Sequence, residues 1–443
     1  GNFNTNYLGI DVGPEVAMIA NYPTGLVWKH FMRNEKIIAA VTKIFTKLSK
    51  PESTGHVKMV NNTLYVDGKP YIIKGVSYQP TPIGQNVEWG YNPLAHSELY
   101  NRDFPLLKKM HANTIRTWGK IPTTTLLDKA DANNLHVTMG FWVDYAADLS
   151  NNATRQSIIN EFKSYVASFK NHSAVLMWAI GNENNYHQPA MEFYSLANEM
   201  AKEAYLIEGA SYHPVTVVNG EIFSIPSDNE VNYIDAWGIN SYRGYSFGSL
   251  FNDYKTKSNK PLWISEYGID AYNTSCGCEY QNVQADYDLH MWHEIANNSP
   301  AQLTPGGVSV MGGTMMEYSD EWWKAGSPSS HDTGGFSNQG DQPDNYKNEE
   351  WWGIVSVQKN GTQPDIIVPR EVYYRFKDEW KTFLQGDVND DCKVNIFDLA
   401  AVGLAFGSKP GDANWNPNAD IRQDGVINIF DLATVGINFG KSC

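Results

Sequence analysis

Basic residues, cysteines and long apolar runs are all scarce in this chain. Its 34 Lys and Arg face 49 Asp and Glu, for a formal net charge of −15. That balance repels a phosphate backbone, so nucleic acid is excluded as a partner. No stretch of about 20 apolar residues occurs, so no membrane span is expected. No Lys or Arg precedes Lys29, so the start lacks the basic segment of a secretory leader, and the chain reads as a mature form. No Gly-rich phosphate turn follows the first strand-like run, which argues against an open doubly wound sheet. The cysteines are Cys276, Cys278, Cys392 and Cys443. An even count fits two disulfides outside the cytosol, with three pairings open. Cys276–Cys278 would close a tight local loop, and Cys392–Cys443 would clasp the C-terminal region. Asn-x-Ser/Thr triplets at Asn61, Asn152, Asn171, Asn273, Asn297 and Asn360 fit the same secreted, extracellular or cell-surface setting.

Aromatics are abundant, at 13% of residues with 14 Trp and 25 Tyr. Most must be core, but the excess leans toward carbohydrate, whose apolar faces stack on rings. Residues 1–56 form an N-terminal extension with one amphipathic helix over 26–48, whose apolar face needs the main domain or another subunit as partner. A hairpin over 57–71 is expected to cap the domain. Apolar runs then recur at 72–78, 114–118, 136–142, 175–180, 214–218, 236–240, 262–265 and 308–317. Helical stretches over 99–111, 123–133, 157–170, 190–207 and 281–297 alternate with them, and 371–383 closes the series. Eight strands with intervening helices predict an α/β fold, a (β/α)8 TIM barrel over 57–384.

Barrel enzymes carry their chemistry at the C-terminal ends of strands. Glu183 ends the run from Val175, and Glu266 ends the run from Pro261. These are strands four and seven. Retaining glycoside hydrolysis needs two carboxyls about 5–5.5 Å apart, one ionised for attack and one protonated for the leaving oxygen.

Ile180-Gly-Asn-Glu183 and Ser265-Glu-Tyr-Gly268 resemble the strand-four and strand-seven signatures of glycoside hydrolase clan A, the retaining β-glycosidases on (β/α)8 barrels. The resemblance implies Glu183 as acid/base, Glu266 as nucleophile and Asn182 as the partner of the sugar 2-hydroxyl. Arg116 resembles the arginine that keeps the nucleophile ionised, and Tyr242 the tyrosine that hydrogen-bonds it. Asn240 stands where many clan members have His, a departure at one subsite contact. No cofactor is implied for catalysis. Motifs at Gly75, Asn92 and Arg102–Arg116 resemble β-1,3-glucanosyltransferases, whereas Met177–Glu183 resembles the β-galactosidase/β-glucuronidase group. The implied substrate is a β-linked glucan-type polysaccharide or oligosaccharide. The alternatives are a transglycosylase, or a catalytically silent carbohydrate-binding or self-assembling surface protein. Trp89, Trp118, Trp142, Trp322 and Trp323 are candidate sugar platforms, and Glu317 after strand eight is a candidate subsite residue. His331 and Asp332 are expected in a solvated loop.

Residues 386–403 recur at 419–436. Oxygen-bearing residues at alternate positions of twelve read as calcium loops. The first set is Asp387, Asn389, Asp391, the Lys393 carbonyl, Asn395 and Asp398. The second is Asp420, Asp424, the Val426 carbonyl, Asn428 and Asp431. The repeat resembles a dockerin, implying structural Ca2+ in a small all-α domain of paired loop–helix units over 385–443. Arg422 replaces an oxygen ligand, and Cys392 replaces the loop glycine. Ile396-Phe397 and Ile429-Phe430 stand where cohesin-binding dockerins often have small polar residues. A cohesin-like partner, docking onto the chain's own barrel, and self-association through this domain or the extension all stay open.

Overall fold

The computed structural model describes residues 50–302, 307–337, 340–381, 384–389, 391, 393–422 and 424–442. The helix expected over 26–48 and the Cys392–Cys443 pair lie outside the described residues. Cys276 and Cys278 are joined in a disulfide.

Eight parallel strands close into a barrel. They are β4 (Ile73–Ser77), β5 (Thr114–Arg116), β6 (His136–Phe141), β7 (Val175–Ile180), β8 (Val215–Gly220), β9 (Ala236–Asn240), β10 (Leu262–Tyr267) and β13 (Val310–Met315). Neighbours in sequence pair in order, and β13 joins β10 to β4. Every residue of β7, β8, β9, β10 and β13 is buried. Helices outside and a filled interior cover both faces, so these strands read as continuous apolar runs without alternation.

Before the barrel, β1 (Val57–Val60), β2 (Thr63–Val66) and β3 (Lys69–Pro70) form an antiparallel sheet. Val57, Leu64 and Val66 pack with Ile73, Leu176, Ala236, Trp263 and Met311, all at the starts of barrel strands. The sheet therefore plugs the N-terminal end, as expected for the hairpin, and leaves the opposite end for chemistry.

The long connection after β13 holds two hairpins that the sequence pattern did not reveal. One pairs β14 (Gly335–Ser337) with β15 (Tyr346–Asn348), the other β16 (Val355–Gln358) with β17 (Ile366–Pro369). The loop between them is fixed at Gly353, whose carbonyl accepts from buried Arg370 Nη1 at 2.6 Å and whose N–H donates to buried Asp320 Oδ1 at 3.1 Å, while the Arg370 guanidinium donates to both Asp320 oxygens at 2.6 and 2.7 Å. Helix α8, counted in chain order, spans Glu371–Trp380 and closes the barrel layer through Trp380, which packs on Trp292 and Phe376. In the C-terminal repeat the described residues form α9 (Ile396–Leu404) and α10 (Ile429–Asn438) over a separate core of Val388, Val394, Val402, Ile427 and Val435.

Candidate active site

Strand β10 carries Glu266 to the mouth through an irregularity. Its register to β9 shifts between Ile264 and Glu266, and its register to β13 shifts across the same residues. Bulges at barrel rims re-aim side chains. The Ser265 carbonyl instead accepts from Arg116 Nη1 at 3.0 Å and Thr314 Oγ1 at 2.6 Å. Glu266 then stands against three donors. Arg116 Nη1 reaches Oε1 at 2.6 Å, Trp118 Nε1 reaches Oε1 at 2.9 Å, and Tyr242 Oη reaches Oε2 at 2.6 Å. Burial and the Glu266 charge hold the Tyr242 phenol well above its ordinary value, so it stays a donor.

Strand β7 ends in a turn that only particular residues can make. Gly181 has φ +68°, and a Cβ there would meet Asn184 Oδ1 at 2.5 Å and Phe193 Cζ at 2.6 Å. Asn184 is buried and ties the turn down, accepting from Asn182 N at 3.0 Å and donating to the Val143 carbonyl at 3.0 Å. Glu183 itself has φ +55°. A non-glycine residue in that region is strained, and such strain concentrates where a side chain must be aimed.

One hydrogen-bonded chain joins the two carboxyls. Arg116 Nη2 donates to Asn182 Oδ1 at 2.6 Å. Asn240 Nδ2 donates to Asn182 Oδ1 at 3.1 Å and to Glu183 Oε1 at 2.9 Å. Its own Oδ1 is fixed by Ser265 Oγ at 2.7 Å. Burial first, then the negative Glu266, push the Glu183 carboxyl up to about 7, against the opposing pull of Asn240, Arg116 and Lys347. Two acids in one mouth thus sit in unlike settings, the pattern that separates an acid from a nucleophile.

Residues 57–322 match the family described as glycosyl hydrolases family 2, TIM barrel domain. The chain belongs to glycosyl hydrolases family 2. Residues 385–437 add a dockerin type I domain. Among similar proteins, "Protein EPD1" of Candida maltosa is 23% identical over 320 residues, covering 64% of this chain and 56% of its own. Mouse β-glucuronidase is 25% identical over 233 residues, covering 48% and 34%. A family 2 β-galacturonidase structure from Eisenbergiella tayi superposes with a TM-score of 0.51 at 15% identity, covering 75% of this chain and 54% of that one. The chain thus spans a third to just over half the length of these curated relatives.

Other expected residues of this family 2 chain divide clearly. Trp118, expected as a platform, uses its indole N–H on Glu266 and lies with its ring centroid 4.9 Å from the Arg116 guanidinium carbon. Trp142 is exposed beside Tyr145, whose hydroxyl donates to the Asn182 carbonyl at 2.6 Å. Glu317 is buried, and burial together with the Glu321 charge holds its carboxyl well above the usual range. Trp322 stacks on His331 at 4.5 Å between ring centroids, and His331 stacks on Trp351 at 3.5 Å. The solvated loop expected for His331 and Asp332 is therefore a packed one, with the Asp332 carbonyl accepting from Trp351 Nε1 at 2.9 Å.

Sequence reasoning missed Trp118 as a donor, although its spacing of two from Arg116 puts both on one face of an extended segment. It also missed Lys347 and Arg243 near the mouth, which no local pattern marks. Arg243 Nε donates to Glu221 Oε1 at 2.8 Å, and Lys347 pairs with Asp341 at 2.7 Å.

In the dockerin domain, Asp398 and Asp431 are fully buried. Asp398 accepts from Val388 N and Asn395 N, both at 2.8 Å, and Asp431 from Arg422 N at 3.1 Å and Asn428 N at 2.8 Å. Asp387 and Asp420 each accept from a loop N–H four residues on, at 3.1 Å. Asn395 and Asn428, expected as ligands, cap α9 and α10 through Phe397 N and Phe430 N at 2.8 Å. That suits a position that often ligates through water. The donors are all oxygens, as a hard cation prefers. Ile396, Phe397, Ile429 and Phe430 are 58–68% exposed, so they are not docked onto the described barrel.

Proposed function

We propose that this chain is a retaining β-glycosidase in which Glu266 attacks the anomeric carbon and Glu183 is the acid/base. The carrying observation is the asymmetry of the pair. Glu266 has three hydrogen-bond donors, one of them a guanidinium, which fix both carboxylate oxygens in place for attack. Glu183 has one neutral amide donor and a carboxyl pushed up to about 7, which favours the protonated form needed at the start. Glu183 gives its proton to the leaving oxygen as Glu266 forms the glycosyl–enzyme ester. It then takes a proton from water, or from an acceptor sugar, as that ester breaks. Asn182, held by Arg116 and Asn240, presents its amide to the sugar 2-hydroxyl.

The substrate read from this site is a neutral β-linked sugar of glucan type. Arg116, Arg243 and Lys347 at the mouth each already bind a carboxylate. A uronate would bring another negative charge with no unpaired cation among them, at a desolvation cost. Aryl β-glucosides should therefore be turned over with a kcat/KM at least ~100-fold above aryl β-glucuronides. A preference for the glucuronide would overturn this assignment, and with it the contrast to the β-glucuronidases the chain resembles.

Calcium is the ion we assign to the dockerin loops, in a secreted protein. Bound at roughly a thousandfold excess over Kd, it would stabilise by about 4 kcal/mol. Calorimetry of the full chain should show one transition that rises by about 4 °C with calcium. The shift should vanish in the Asp398→Ala/Asp431→Ala variant. Identical traces in calcium and in chelator would exclude the role.

A further inference from the structure

Next to Tyr242, whose hydroxyl holds Glu266, lies a cavity of about 610 Å3 that the proposed chemistry does not use. It is lined by Tyr242, Arg243, Phe336, Ser337, Asp341 and Lys347. We infer that this cavity is a second sugar site, holding a neutral pyranose next to the one cleaved, and that Phe336, Lys347 and Asp341 make the chain select oligosaccharides over single glycosides. The inference rests on the glycosidase reading above and deepens it.

The wall is built for this. Phe336 and Lys347 are directly paired across β14 and β15, so both side chains stand on one face of the hairpin. The Lys347 ammonium lies 5.8 Å from the Phe336 ring centroid and 5.1 Å from that of Tyr242. Its partner Asp341 sits at 2.7 Å. An ammonium and a carboxylate side by side offer donors and an acceptor to vicinal hydroxyls, while their charges cancel. Phe336 is 55% exposed. It presents the flat apolar surface that the C–H face of a pyranose covers. The volume falls within the range of small-molecule sites, ~300–1,000 Å3.

The wall is also held rigid. Gly335 lets the strands approach, since a Cβ there would meet the Lys347 carbonyl oxygen at 1.5 Å. Asn348, next to Lys347, is buried. It donates from its backbone to Asp270 Oδ2 at 3.1 Å and from its amide to Asp270 Oδ1 at 3.0 Å and the Tyr272 carbonyl at 2.9 Å. Thr274 Oγ1 donates to its amide oxygen at 2.8 Å. Asp270 lies in the segment that follows β10, four residues past Glu266. A pre-set wall tied to the segment that bears Glu266 limits the ordering cost of binding a second ring. Tyr242 is shared, its hydroxyl on Glu266 and its ring against Lys347, so the cavity adjoins the carboxyl pair.

The test compares chain lengths. Wild-type kcat/KM should be higher on cellotriose or laminaritriose than on the aryl monoglucoside. In Phe336→Ala that ratio should fall roughly tenfold, the loss expected for truncating one large aromatic contact. Lys347→Ala should lower the same ratio. An unchanged ratio in both variants overturns the proposal, including the case where both substrates suffer equally. Because Phe336 is half exposed, its truncation leaves the core intact, and a wild-type Tm checks this. A binding arm separates the two readings. Calorimetry with the full-length Glu266→Gln variant should give trisaccharide binding that Phe336→Ala weakens about tenfold. Binding so weakened, together with a wild-type chain that turns over none of these β-linked substrates, sustains the sugar site and sinks the glycosidase reading. Turnover with no effect of Phe336 does the reverse.

Discussion

Glu266→Gln should leave less than about one part in ten thousand of the wild-type kcat on any β-linked substrate, because no other group can form the ester. The variant should still fold. Gln is isosteric, and Arg116 keeps the Asn182 and Ser265 oxygens as acceptors. The amide cannot accept from all three donors that now surround the carboxylate, so a modest fall in Tm is expected. Steady-state assays together with a thermal melt decide the matter. Activity within tenfold of wild type in a folded variant would end the assignment of Glu266.

Glu183 should set the alkaline side of the pH profile. Its carboxyl must be protonated when the leaving oxygen departs, and burial plus Glu266 raise it to about 7. The free enzyme should thus keep full kcat/KM below pH 7 on this limb and lose it tenfold per unit above. Glu183→Gln should remove that limb and cost about 10²–10⁴ in kcat/KM on oligosaccharides, whose leaving groups need a proton. The loss on aryl glycosides with acidic phenols should be far smaller. An alkaline limb near 7 that persists in Glu183→Gln would assign the titration to another group. Asp270 is the control, since burial also pushes it up to about 7, but its oxygens face Asn348 and Tyr272 and not the mouth.

Much of this centre was legible because its parts are local. Glu183 and Glu266 each end a buried apolar run, and a parallel barrel turns such runs into radial spokes whose ends share one rim. Arg116 was readable for the same reason. Asn240 was noticed as a departure, yet its bridging of Asn182 and Glu183 is a contact between strands that no pattern in the sequence announces. Glu317 looked like a rim residue because it follows the last strand, whereas the connection after it folds back and buries it. That connection, over 316–370, is mostly irregular, and its strands are too short for a period to show. Its hairpins are three and four residues deep, and contacts far away in sequence fix the first of them. His331 illustrates the point, since a Gly/Ser-rich neighbourhood signals exposure while two indoles sandwich the ring.

The grip of Asp270 on Asn348 couples two tasks that would otherwise be free to evolve apart. The stretch that selects a guest hangs from the stretch that reacts with it. Swapping the 335–348 hairpin for one of another shape would pull on the neighbourhood of Glu266. New preferences should therefore be reached more readily by changing what Phe336 and Lys347 present than by exchanging the hairpin as a cassette.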